Sequence, residues 1–147
     1  MTEPSPKRKR TLALHDRAIL FSVNVNACCP KYFSDEPSKV VWGQLVRAGD
    51  GTSSNLVEAD DAVSDADFLN KIGTALKEAK ESRVQLVKLR LGKLDNYTKT
   101  ASLGLEAEAT QLSAIYATII RNMKARLERE KATKKAKRRR TGGGGTT

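Results

Sequence analysis

Residues 44–94 read QLVRAGDGTSSNLVEADDAVSDADFLNKIGTALKEAKESRVQLVKLRLGKL, and the predicted architecture is built around them. Apolar residues recur at three- and four-residue steps from Val41 to Ala59 and again from Phe68 to Leu89. Such spacing is typical of amphipathic helices. Between the two segments, Ser64-Asp65-Ala66-Asp67 has the capping-box pattern with which a helix begins. The stretch therefore predicts two helices joined by a short turn.

Helical patterns also flank this pair. An apolar segment begins at Leu12 and predicts a helix to about Cys29, where Pro30 stops it. Ser34 or Asp35 can cap the next helix. Pro37 suits the first turn of that helix. No proline follows Pro37 in the sequence, which favours long uninterrupted helices.

The end of the chain completes the predicted architecture. Gly92 is a natural stop for the third helix, and residues 95–98 predict a loop. Apolar residues at helical spacing predict a last helix from about Thr100 past Leu127. The sequence thus predicts an all-α protein, an antiparallel up-down four-helix bundle over residues 11–130.

The positive charge lies at the two ends of the chain. The formal net charge is +10, of which residues 1–10 carry +3 and residues 121–140 carry +9. The intervening residues 11–120 carry −2, so the predicted bundle is nearly neutral. We expect residues 1–10 to be a disordered basic arm and residues 131–147 to be a basic, Gly-rich flexible tail.

Basic ends on a neutral body are typical of proteins that bind polyanions. With seven cations in residues 131–140, full phosphate contact would give log affinity a salt slope of about −6 on duplex and about −5 on single strands. Two other interpretations remain: a solvated helix end, or a nuclear-import signal in a eukaryotic source. The candidate nucleic-acid-binding residues are Lys131, Lys134, Lys135, Lys137, Arg138, Arg139, Arg140, Arg121, Lys124, Lys7, Arg8, Lys9 and Arg10.

The sequence contains no recognisable set of catalytic or metal-binding residues. It has one histidine, and the adjacent Cys28 and Cys29 suit neither a structural disulfide nor a zinc site. The glycines between 43 and 51 lack the Gly-Lys-Ser/Thr ending of a phosphate-binding loop. We therefore expect no enzyme activity, no cofactor and no metal. Without an export signal or a span of about 20 apolar residues, we expect a cytoplasmic protein that does not enter membranes.

Several polar or aromatic residues fall on or near apolar helix faces. Trp42 is expected to anchor the core or an interface. Arg47, Asn55 and Glu58 are expected to form a hydrogen-bond network within the bundle or between subunits. His15 is expected on the helix surface or in a satisfied interface, and the glycines of the second helix are expected to allow close helix packing.

Short segments of the chain resemble a known bacterial family. The segments are Gln44-Leu45-Val46-Arg47-Ala48, Asn55-Leu56-Val57-Glu58, Asp67-Phe68-Leu69, Ala75-Leu76-Lys77-Glu78-Ala79, Gln111-Leu112-Ser113-Ala114-Ile115 and Arg121-Asn122-Met123. They resemble the small four-helix-bundle proteins of ribosomal-RNA intervening sequences. A relative in that family is the accessory variability determinant of diversity-generating retroelements. The resemblance covers about residues 12–127.

The resemblance implies an assembly and partners. It implies a homopentameric barrel of bundles and, for the retroelement branch, binding to RNA or DNA and to a reverse transcriptase. The chain departs from the family pattern at Gly51-Thr52, where Ser-Ile is common, and at Ala59, where Gly is common. The alternative function is a structural oligomer or protein-interaction scaffold without specific nucleic-acid binding.

Overall fold

The protein, described from a computed structural model, forms an all-α bundle over residues 2–143. No strand occurs within this part of the chain. Four helices are long, consecutive long helices run in opposite directions, and a short fifth helix fills one connection. The helices are α1 (Pro6–Cys28), α2 (Glu36–Asp60), α3 (Asp65–Gly92), α4 (Tyr97–Ser102) and α5 (Leu105–Gly142).

The helix α1 begins six residues earlier than predicted. Ser5 caps it, since its hydroxyl oxygen accepts a 3.1 Å hydrogen bond from the Arg8 backbone N–H. Pro6 follows at the first helical position, where its fixed φ is favourable. The prediction that residues 1–10 are disordered is therefore wrong for residues 6–10. The basic residues of this segment indicated disorder, although Ser5 and Pro6 are good residues for starting a helix.

Both predicted caps of the central hairpin are confirmed. The Asp35 carboxylate accepts a 2.8 Å hydrogen bond from the Ser38 backbone N–H at the start of α2. At the start of α3, the Ser64 hydroxyl accepts a 3.0 Å bond from the Asp67 N–H. Each cap satisfies a backbone donor that the first helical turn leaves free. The turn between α2 and α3 is consequently only four residues long.

The connection from α3 to α5 differs from the prediction. The helix α3 ends at Gly92 as expected, and Lys93 adopts a left-handed conformation at φ 49°. The predicted loop at 95–98 instead leads into α4, and α5 starts at Leu105 rather than at Thr100. Gly104, at φ 62°, separates the two helices because glycine enters the left-handed region without strain.

The core joins all four long helices. Trp42, Phe21 and Leu112 are almost fully buried, and the Trp42 Nε1–H donates a 2.8 Å hydrogen bond to the Asp95 carbonyl oxygen. Tyr116 is buried too, and its hydroxyl donates a 3.3 Å bond to the Thr52 carbonyl oxygen. Burial raises the pKa of Tyr116 well above its usual value. The predicted role of Trp42 as a core anchor is confirmed.

The glycines of α2 differ in their surroundings. A Cβ added at Gly49 would lie 3.7 Å from Val25 of α1, and one at Gly51 would lie 2.8 Å from the Glu78 Cγ of α3. The expectation of close helix approach is confirmed at these two positions. At Gly43 nothing lies within 4 Å of the added Cβ, so the expectation is wrong there.

Charged contacts hold the start of α5 from two sides. From α1, Arg17 donates hydrogen bonds to Glu108, at 2.5 and 3.1 Å, and to Gln111, at 2.6 Å. From α3, Arg90 donates two bonds to Glu106, at 2.9 and 3.0 Å. The Arg90 hydrogen bond lowers the pKa of the Glu106 carboxyl. These contacts join the start of α5 to α1 and to α3.

Candidate nucleic-acid interface

The last part of α5 projects beyond the bundle. Leu127 is the final half-buried apolar residue, and every residue from 128 to 142 is exposed. We call residues 128–142 the basic stalk. At 1.5 Å per residue, the stalk is about 22 Å long.

The predicted flexible tail is therefore wrong for residues 131–142, which continue α5. Lysine, arginine and alanine have high helix propensity, and no glycine interrupts them before Gly142. The prediction of a flexible tail gave the positive charge and the terminal glycines more weight than this helix propensity. Residues 144–147, which include the other predicted flexible glycines, lie outside the described residues.

Most cations of the stalk have no acidic partner. Lys131 lies 3.7 Å from Glu128, and both side chains are well exposed. Within residues 2–143, no ion pair involves the remaining predicted cations, which are Lys134, Lys135, Lys137, Arg138, Arg139 and Arg140. Successive residues of a helix are rotated by about 100°, so these six surround the stalk rather than form one stripe.

The base of the stalk is tied to α3. Arg126 lies 3.2 Å from Asp65 at the start of α3 and 3.5 Å from Glu130. Arg126 was absent from the predicted set, although its four-residue spacing from Glu130 could have revealed half of this pairing. Of the predicted cations nearby, Arg121 donates a 3.0 Å bond to the Thr118 hydroxyl, and Lys124 is exposed.

The N-terminal cations lie at the same end of the bundle. Lys7, Arg8, Lys9 and Arg10 are exposed on the first turns of α1. Arg8 pairs with Asp60 at the end of α2, and Lys9 lies 3.2 Å from Glu3. Because Asp60 and Asp65 flank one short turn, the pairs from Arg8 and Arg126 place both basic chain ends around it. The sequence predicted both segments but not their proximity.

An acidic segment separates the two groups of cations. Glu58, Asp60, Asp61, Asp65 and Asp67 occur within ten residues around the α2–α3 turn. Three of them face cations, since Glu58 also lies 3.1 Å from Lys71. Because these pairs are partly exposed to solvent, each contributes at most about 1 kcal/mol to the stability of the fold. Arg8 and Arg126 are partly neutralised, so the outer stalk is the strongest unpaired positive region in the described chain.

The predicted polar network of α2 is not formed within one subunit. Asn55 donates a 2.8 Å bond to the Gly51 carbonyl of its own helix, and Glu58 pairs with Lys71. Arg47 is exposed, and its side chain forms no hydrogen bond or ion pair within residues 2–143. The prediction of an internal network is wrong because Asn55 bonds to its own helix, Glu58 pairs with α3 and Arg47 faces solvent.

The outer cations of the stalk offer electrostatic contacts. No cluster of three or more His, Cys, Asp or Glu side chains within residues 2–143 could hold a metal ion. Cys28 and Cys29 remain free thiols, and burial raises the pKa of both. The stalk has no aromatic side chain on which bases could stack, so its contacts would go to phosphates.

Among residues 2–143, no helix combines the length and apolar character that a membrane crossing requires.

Comparison with known proteins shows a similarity to a solved structure. No protein-family model and no curated protein matches this chain. The chain is similar to the crystal structure of a protein of unknown function from the S23 ribosomal protein family of Bacteroides thetaiotaomicron, with a TM-score of 0.58. The sequences are 26% identical, and the match covers 73% of this chain and 97% of the other. The unmatched part of this chain amounts to about a quarter of its length.

Proposed function

We propose that this protein is a non-enzymatic, oligomeric bundle that binds nucleic acid through its basic stalk, as an accessory subunit of a diversity-generating retroelement. The carrying observation is the projecting helix of 128–142, whose six outer cations have no acidic partner among the described residues. Cations on all sides of a helix can contact phosphates on both walls of a groove. The assignment to a retroelement and a reverse-transcriptase partner rests on the sequence resemblance over residues 12–127.

Neutralising the stalk tests the binding role. In the stalk variant, glutamine replaces Lys134, Lys135, Lys137, Arg138, Arg139 and Arg140, which retains helix propensity. Six lost phosphate contacts should flatten the slope of log affinity against log salt by about 5 units on duplex and by about 4 on single strands. Salt-titrated fluorescence anisotropy with labelled duplex DNA and single-stranded RNA measures both slopes.

A matched control separates local contacts from total charge. In the control variant, glutamine replaces six exposed cations of the bundle: Lys31, Lys39, Arg47, Lys77, Lys80 and Lys88. The net charge changes equally, but the slope should change by less than about 1 unit if the stalk makes the contacts. Equal slopes in the two variants would reject the stalk as the binding site.

Self-association is supported by the outer face of α1. Its inner side chains Ala18, Phe21 and Val25 are buried in the core, yet Leu20 and Val23 are 57% and 53% exposed. Ile19 and Leu12 extend the same outer surface. The core covers only the inner side of α1, so its outer apolar side needs another surface against which to pack. A second copy of the chain would supply that surface. The homopentamer implied by the resemblance would place several stalks in one assembly and increase avidity.

Replacing Leu20 and Val23 with glutamate should dissociate the assembly, because two charges would enter an apolar interface. Leu91→Glu is the control, since Leu91 is an exposed apolar residue at the far end of α3. Analytical ultracentrifugation gives the oligomeric state. A wild-type monomer would reject the oligomer, and a variant that stays assembled would reject this face of α1.

A structural scaffold is the second candidate, favoured by the same exposed face of α1. In that case the stalk serves solubility, and a nucleic acid binds weakly and without dependence on the stalk. The stalk variant distinguishes the two candidates, because a scaffold would assemble normally and lose no salt-dependent binding.

A further inference from the structure

A partly enclosed cavity lies at the end of the bundle from which the stalk projects. Its volume is about 370 Å³, which falls in the range of about 300–1,000 Å³ typical of small-ligand sites. All four long helices contribute to it. The apolar wall consists of Leu14, Leu56, Phe68, Ile72, Ile119 and Met123.

His15, the single histidine of the chain, also lines this cavity. His15 is only 8% exposed, and its imidazole forms no hydrogen bond or ion pair within residues 2–143. The expectation of a helix-surface position is therefore wrong, and the expectation of an interface between subunits stays a prediction. The imidazole of His15 is thus free to form a hydrogen bond with a ligand in the cavity, and such a bond contributes about 0.5–1.5 kcal/mol.

The charged side chains at the cavity are Lys7 and Asp60, which line it, and Arg8, which pairs with Asp60. Lys7 lines it two turns before His15 on α1, which is a separation of about 12 Å along the helix axis. Asp60 is the carboxylate that lines the cavity, and it is paired with Arg8. Together Lys7, Arg8 and Asp60 carry one net positive charge, which favours an anionic group near them.

We propose that this cavity binds a small aromatic acid that carries a hydroxyl group at the end remote from its carboxylate. The carboxylate lies near Lys7, and the hydroxyl forms a hydrogen bond with the imidazole of His15. The ring packs between Phe68 and Met123, since aromatic edges and thioether sulfur both favour contact with an aromatic ring. This site is separate from the proposed stalk contacts and does not depend on them.

The full-length protein provides its own probe, because His15 gives the only histidine C–H signals in the proton NMR spectrum. At constant pH, para-hydroxyphenylpropionate should shift these signals saturably. Phenylpropionate lacks the hydroxyl and should bind about tenfold more weakly, the value of one hydrogen bond. Tyramine carries an ammonium in place of the carboxylate and should bind more weakly still.

Two neighbouring lysines give a matched pair of variants. Lys7→Ala should weaken para-hydroxyphenylpropionate binding by up to about fivefold, as expected for an exposed ion pair. Lys9→Ala removes the same charge from the same helix, but Lys9 faces Glu3 outside the cavity and should leave binding unchanged. No saturable shift of His15, or equal affinities for the three compounds, would overturn the proposal, as would equal losses in the two variants.

Discussion

The α2–α3 hairpin and the basic stalk are both helical, but different forces hold them. The hairpin buries Trp42, Leu45, Ile72 and Leu86, and a side-chain cap starts each of its helices. The stalk buries none of its residues from 128 to 142. Tertiary packing accounts for most helical stability in proteins, so the whole core stabilises the hairpin. The stalk instead depends on the helix propensity of its residues and on the packed part of α5 that precedes it. The core that stabilises the fold and the proposed nucleic-acid contacts thus lie in different regions.

The largest effect is expected at Trp42. Trp42→Ala should lower the free energy of unfolding by about 3–5 kcal/mol, because it leaves a large cavity and removes the hydrogen bond to the Asp95 carbonyl. Urea unfolding followed by circular dichroism measures the change. Val63→Ala is the control, since Val63 is 93% exposed and should change stability by less than about 0.5 kcal/mol. A loss below about 1 kcal/mol at Trp42 would contradict a core centred on the hairpin.

A smaller effect separates two glycines of α2. Gly43→Ala should stabilise the protein by up to about 1 kcal/mol, because alanine favours a helix and nothing lies near the new Cβ. Gly51→Ala should gain less or lose stability, since its Cβ would lie 2.8 Å from the Glu78 Cγ. Urea unfolding of both variants compares them. Glu78→Ala should restore the gain at position 51, and equal effects of the two glycine changes would contradict a close α2–α3 approach.

The smallest effect is expected from the stalk. Deletion of residues 131–147 should change the free energy of unfolding by less than about 0.5 kcal/mol, because residues 131–143 are exposed and make no contact with another helix through hydrogen bonds or ion pairs. Urea unfolding tests this directly, with the intact chain as reference. A loss above about 1 kcal/mol would show that the stalk packs on the bundle or on a neighbouring subunit.

Local patterns predicted much of the fold. Ser64 and Asp35 act as caps because the signal lies within four residues, and Gly92 ends α3 as the periodicity indicated. The same local reasoning failed at Ser5-Pro6 and in the stalk, where charge was given more weight than capping and propensity. It also missed α4, because a six-residue helix has too few positions to show a period.

The candidate site residues also fall into those that local sequence patterns predicted and those that they missed. The cations of the two chain ends are visible in the sequence as runs of charge, and their exposure followed from that. Arg126 was missed because its partner Asp65 is 61 residues away. His15 was misplaced because one isolated polar residue carries no periodic signal. Only packing decides whether such a residue meets solvent, a partner or a cavity.

Capping, period and charge are local properties, so the helices of the central hairpin, the neutral body and the basic ends could be predicted from the order of residues alone. Only the tertiary structure decided that both basic ends lie around the α2–α3 turn, and that the stalk projects from there. It also decided that His15 lines a cavity between four helices. These features depend on which distant residues meet when the helices pack, and no local pattern in the chain encodes that.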